Sequence, residues 1–274
     1  MDAGIYEHNQ IDYDASRFPT QENLLSHAKE QILRATQSTD VLYTDVSPAW
    51  GSSIADSLIG DSEVKGKYAR VNYNVVAEML WLRVVHTEIQ CCHQEWLKRE
   101  LFEWMQTGLL SQEERDKFHW SVGTTIRSFS GDYQGSRKEP DLVIRPMHQP
   151  LPSIVMENGW SGLNLLMATD VRVWLLGTNA NVVMNLEWTK TPDGVSGAIK
   201  VYSRSQDGLP HLRQRVVIFP AAADSTENIN ITREELFGQH LLPDTNPEDI
   251  LPLSMDGLRR KAKVALARMG LVPA

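Results

Sequence analysis

Between Glu139 and Gly159 the chain carries two short apolar runs, and each run holds a carboxylate. Asp141-Leu142-Val143-Ile144-Arg145-Pro146 and Ser153-Ile154-Val155-Met156-Glu157-Asn158 are rich in β-branched residues and bounded by Pro and Gly, the composition of strands. The link from Met147 to Pro152 is short enough for a hairpin. Antiparallel pairing would set Asp141, at the start of the first run, beside Glu157, near the end of the second. An acid within an apolar strand is costly unless it is paired, hydrogen-bonded or metal-bound. Two converging carboxylates suit a hard cation such as magnesium or manganese, with water and substrate phosphate completing the shell. The plainer alternative is a Glu157 that faces solvent or pairs with an arginine such as Arg145.

Around these runs the sequence resembles a known family. Ser136-Arg137-Lys138-Glu139-Pro140-Asp141, then Pro152 through Ser161, then Asp170 and Trp174-Leu175, are similar to fungal proteins of the PD-(D/E)XK, or restriction-endonuclease-like, superfamily. The likeness covers roughly residues 71–219. It implies an α/β fold, a mixed central sheet flanked by helices, with Asp141 and Glu157 on a magnesium or manganese ion. It also implies a further acid from the first helix, for which Glu78 is the nearest candidate and Glu88 the second. The implied activity is that of a metal-dependent phosphodiesterase.

The chain departs from the family pattern at one chemically important place. Active members carry Lys two positions after the second acid, on the same strand face, where it orients the attacking water and offsets charge on the phosphate. Here that position is Gly159. Lys190, at the end of the run from Val182 to Thr189, is the replacement expected for the catalytic role, with Lys138 as a weaker one; an ordinary solvated strand end is the alternative for Lys190. Trp160, Ser161 and Trp188 are expected to line the substrate pocket, since aromatics near a site suit base stacking or a flat organic ligand. Gly162 and Leu166 make the helix rim of that site more apolar than phosphate handling suggests.

Composition bounds the function classes. The 274 residues are 42% hydrophobic and 23% charged, which is globular. A formal net charge of −8 and a pI of about 5.5 disfavour, without excluding, a nucleic-acid partner held by phosphate contacts. The adjacent Cys91 and Cys92 cannot readily bridge each other, and the His86, Glu88, Cys91, Cys92, His93 and Glu95 neighbourhood points in too many helical directions for a zinc site. The start of the chain reads as neither a secretory signal nor a transit peptide, and no run reaches the roughly 18 apolar residues of a bilayer span. The expected localisation is cytoplasmic or nuclear, with no membrane partner.

Three zones are expected: a polar, helical N-terminal extension over residues 1–67, a PD-(D/E)XK-like core over 68–220, and a helical C-terminal extension over 221–274. The first holds a helix over residues 20–35 capped by Thr20, and a short helix near Ser53. The core would open with one long amphipathic helix over 71–105, where Val71, Val75, Met79, Leu82, Val85 and Ile89 recur at helical spacing. Strands follow near 121–129, 142–145, 153–158, 182–189, 197–203 and 213–219, with a helix from Ser161 to Leu176. Ser111 and Thr232 open capping boxes, and a last helix over 254–269 carries Arg259, Arg260, Lys261, Lys263 and Arg268, either a nucleic-acid strip or a solvated face. The functional readings are a nuclease-like phosphodiesterase, weakened by Gly159; a scaffold reused for small-molecule acid and base chemistry in fungal secondary metabolism; or a non-catalytic binding module.

Overall fold

The computed structural model describes residues 8–84, 86–221 and 227–274, with the backbone alone at 163–165. The chain divides into two compact units, residues 1–87 with 123–139, and residues 88–122 with 140–274.

The first unit begins with β1 (Asn9–Asp14), α1 (Gln21–Arg34), β2 (Thr39–Thr44), α2 (Pro48–Gly60) and α3 (Ser62–Gly66). It then forms the hairpin β3 (Arg70–Asn74) and β4 (Met79–Val84). The sheet order is β1-β2-β4-β3, with β1 parallel to β2 and the rest antiparallel. Thr20 caps α1 as expected, its hydroxyl accepting from the Asn23 amide. One sheet face and the helices bury Leu24, Ile32, Val41, Tyr43, Ile54, Leu80 and Leu82 in a common core. The opposite face carries Asp40, Arg70, Asn72, Trp81 and Arg83, all buried; Trp81 Nε1 donates to Asp40 at 2.7 Å. Residues 123–139 belong to this unit, where Arg137 pairs with Asp56 and also bridges backbone-to-backbone with Tyr73.

The expected long helix over 71–105 is a correction. Its first half is the β3–β4 hairpin: Leu80, Leu82 and Val84 alternate at a period of two within the same stretch where Val71, Val75, Met79 and Leu82 recur at helical spacing. Asn74 decides between them: its side-chain oxygen accepts from the amides of Val76 and Ala77, closing a turn that no helix could pass through. Val85, also in that pattern, lies outside the described residues.

The second unit starts with α4 (Glu88–Gln106), α5 (Gln112–Arg115), β5 (Phe118–Ser121), β6 (Leu142–Pro146) and β7 (Ile154–Trp160). A 3₁₀ turn at Ser161–Leu163 leads into α6 (Asn164–Gly177), followed by β8 (Val182–Thr191), β9 (Gly194–Arg204) and β10 (Pro210–Phe219). The last elements are β11 (Asn228–Thr232), α7 (Arg233–Phe237), β12 (Ile250–Ser254) and α8 (Met255–Arg268). Six strands form a mixed sheet in the order β10-β9-β8-β7-β6-β5; β7 and β8 run parallel, joined by the α6 crossover, and the other pairs are antiparallel. This matches the expected mixed α/β sheet flanked by helices.

Residues beyond 220 are no appendage. Ile229, Leu251, Leu253, Leu258 and Leu266 share one core with Trp96 and Trp104 of α4 and with Ile154, Leu186 and Ile199 of the sheet. The indoles of Trp96 and Trp104 donate to the carbonyls of Ser254 and Pro252, tying α4 to β12. Both capping boxes form, at Ser111 and Thr232. The three expected zones therefore give way to two units: the first 67 residues supply two strands of a sheet that β3 and β4 complete, and the last 54 build the floor of the second core. Among the described residues no helix is long and apolar enough to cross a membrane.

Candidate functional site

The β6–β7 register pairs Leu142 with Met156, so Asp141, one residue before β6, falls opposite Glu157. Asp141 Oδ2 accepts from the Asn158 amide at 2.8 Å, which brings that carboxylate to the backbone immediately after Glu157. Both acids are buried, at 1% and 3% exposure. Glu157 Oε1 accepts from the Trp174 indole of α6 at 2.8 Å, so Glu157 lies on the sheet face that α6 covers. The solvent-facing or Arg145-paired alternative for Glu157 does not hold: Arg145 Nε donates instead to His119 Nε2 at 2.7 Å. Asp170, buried one helical turn before Trp174, shares its side of α6.

Register carries this row across the sheet. Glu157 pairs with Asn185 of β8, Asn185 with Lys200 of β9, and Lys200 with Arg215 of β10. Residues paired across strands project from the same face, so acids, amide and cations form one line. The Asn185 amide nitrogen donates to the Met167 carbonyl at 3.1 Å, while its buried Oδ1 has no hydrogen-bond partner among the described residues. The next row holds Gly159, Glu187, Ala198 and Val217. Glu187, beside Gly159, accepts from Lys200 Nζ at 2.8 Å. Beyond this row opens a groove of about 620 Å³ whose lining includes Glu187, Thr189, Ala198, Val217, Arg215 and Arg259.

The other face of the same strands is apolar and meets α4. Trp160 and Trp188, paired in register, are 5% and 0% exposed and belong to the core with Trp96 and Leu97. They are therefore core residues and not pocket walls, a correction to the expected substrate contacts. Lys190 follows the parity of Trp188 and lies over the Trp160 ring, 5.8 Å from its centroid. Strand alternation thus points Lys190 away from the Glu157 face, and the reach expected of it fails on parity. Ser161 opens the 3₁₀ turn ahead of α6 instead of capping the helix directly. On this apolar face Asn158 Nδ2 donates to the Gln90 carbonyl at 2.5 Å and stands 3.2 Å from His93 Nδ1, anchoring β7 to α4.

The expected helical acid is likewise corrected. Glu78 sits in the β3–β4 turn of the first unit with φ 50, in no helix. Glu88 does begin α4, but it is exposed and pairs with Arg268 at 3.2 Å. Lys138 belongs to the first unit, buried and 5.4 Å from the centroid of the Trp81 ring. Among the described residues no group of three or more His, Cys, Asp or Glu stands close enough to hold a metal ion. Two carboxylates remain a donor set that magnesium or manganese accepts when water and substrate supply the rest, and the unpartnered Asn185 oxygen would suit a water ligand.

Sequence reasoning missed Asn185, Lys200 and Arg215. Asn185 was readable as a polar residue within the apolar run 182–188; the two cations needed the register. Cys91 and Cys92 form no disulfide among the described residues, and burial raises the Cys92 thiol well above its ordinary pKa. In comparisons with known proteins, no family model and no curated protein matches the chain.

Proposed function

We propose that the second unit is a nuclease-like domain of the restriction-endonuclease-like kind, a metal-dependent phosphodiesterase in which Asp141 and Glu157 hold magnesium or manganese. The observation that carries this reading is the Asp141 carboxylate bound to the amide that follows Glu157, which juxtaposes two acids on adjacent strands. The helix-flanked mixed sheet supports the same reading. A bound divalent ion would polarise a phosphoryl oxygen and make a water ligand more acidic. The Asn158 amide and the Trp174 indole hold the two carboxylates in place. Lys200, in the row of Glu157 and bonded to Glu187 beside the lysine-less Gly159, is the cation that this face offers to phosphate charge.

A second reading, the non-catalytic binding module, is favoured by the same two bonds. Each acid already accepts a protein hydrogen bond and is almost wholly buried, which is how a purely structural pair would look. Calorimetry with manganese separates the readings. Wild-type binding that disappears in the folded Asp141→Ala, Glu157→Ala variant supports the metal site, and manganese-dependent cleavage of an oligonucleotide that is lost in Glu157→Ala supports the phosphodiesterase. Absence of metal binding in the wild type would sink it.

A further inference from the structure

On the α4 side of the second unit lies a groove of about 600 Å³ lined in part by Lys98, Arg99, Phe102, Arg115, Trp120 and Lys261. Among the described residues Glu95 is its one acidic lining residue, at 4.0 Å from Lys261, and Arg99 also pairs with Glu103. Lys98 is exposed and makes no ion pair among the described residues. On a chain of net charge −8 this is a local field of the opposite sign. Two aromatics sit among these cations. Phe102 is 51% exposed, with the Arg99 guanidinium 5.7 Å from its ring centroid, and Trp120 is partly buried on the β5 side.

Lys98, Arg99, Phe102 and Met105 follow one another at helical spacing, so they share one face of α4 over about 10 Å. That is a span of about three nucleotides of stacked strand. An exposed aromatic costs solubility unless something flat covers it, and cations around it supply charge that a carboxylate side chain or a phosphate backbone would answer. The combination of ring faces with flanking Arg and Lys is the arrangement that binds single strands, bases stacking on the rings while the backbone follows the charges.

We propose that this groove binds single-stranded nucleic acid, with bases on Phe102 and Trp120 and phosphates on Lys98, Arg99, Arg115 and Lys261. The groove lies on the α4 side of the sheet, opposite the face that bears Glu157, so the inference goes beyond the phosphodiesterase reading and needs no metal. The test is fluorescence anisotropy of a labelled twelve-residue oligothymidylate against the full chain in EDTA, with a poly-glutamate peptide of equal length as competitor.

Wild type should bind saturably. Lys98→Glu with Lys261→Glu should weaken binding at least tenfold and shrink the slope of log K against log salt by about 1.4, two phosphate contacts at about 0.7 each. Phe102→Ala, at an exposed position that leaves folding intact, should weaken binding by about fivefold or more without changing that slope. Arg172→Glu, at an exposed cation of α6 across the sheet, should bind as wild type does. No binding, unchanged affinity in the groove variants, loss in Arg172→Glu, or equal competition by poly-glutamate would each overturn the proposal. Failure of metal binding or cleavage would overturn the phosphodiesterase reading and leave this one standing.

Discussion

Removing the Trp174 to Glu157 hydrogen bond tests whether the acid pair is held by α6. The bond joins a buried indole N–H to a buried carboxylate oxygen at 2.8 Å. Hydrogen bonds to charged groups are worth about 1.5–3 kcal/mol net, and a buried group left without its partner costs about 1–3 kcal/mol. Trp174→Phe strands the carboxylate and Glu157→Met strands the indole, whereas the double variant removes both polar groups together. Packing lost with the smaller ring enters both arms of the cycle and cancels. Each single change should therefore cost about 2 kcal/mol or more, and the double should cost less than the sum by about 2 kcal/mol. Urea unfolding followed by tryptophan fluorescence and far-UV circular dichroism gives the four free energies, provided both probes report the same transition in a chain of two units. A coupling below about 0.5 kcal/mol would refute the claim that this bond fixes Glu157.

Gly197→Ala should destabilise the second unit by about 1–3 kcal/mol, because the added Cβ would stand 2.5 Å from the Trp188 ring; an unchanged melting curve and near-UV spectrum would contradict that packing. Arg233→Ala should cost about 3–5 kcal/mol, since Arg233 is buried and bonds Glu114 at 2.6 Å, Asp249 and the Leu109 carbonyl, while Arg268→Ala at the exposed Glu88 pair should cost under about 1 kcal/mol in the same denaturation assay. Burial, with Arg70 and Arg83 nearby, pushes His86 down to about 2. The unfolded chain then binds one more proton than the folded one between that value and the ordinary 6.5, so stability should fall as pH drops below 6.5, by at most about 1.4 kcal/mol per pH unit. His86→Leu should flatten that slope, and an identical slope in the variant would show that other groups cause it.

Much of the second unit was legible because its signals are local. Alternation and β-branching announced β6 to β10, and Ser111 and Thr232 announced their helices through capping chemistry. The acid pair was legible for the same reason, since a hairpin of known link length leaves little choice of register. In the first unit only the helices were legible, α1 through its Thr20 cap and the helix near Ser53; its sheet was not. In residues 71–84 the apolar spacing fits two periods at once, and β1 and β2 are short strands whose parallel partnership joins segments about thirty residues apart. Nothing local distinguishes such a strand from a loop.

What the sequence by itself determined, then, is where carboxylates, caps and strands lie along the chain, because each depends on neighbours within a few residues. Tertiary structure alone decided which face each strand residue takes in the assembled sheet. That choice turned the Trp160–Trp188 pair into the α4 core, left the exposed Lys190 on the Trp160 side of the sheet, and set Asn185, Lys200 and Arg215 in line with Glu157. The physical reason is that a side chain's face follows from strand parity, but its companions follow from register between strands, and register is settled by burial across the whole sheet.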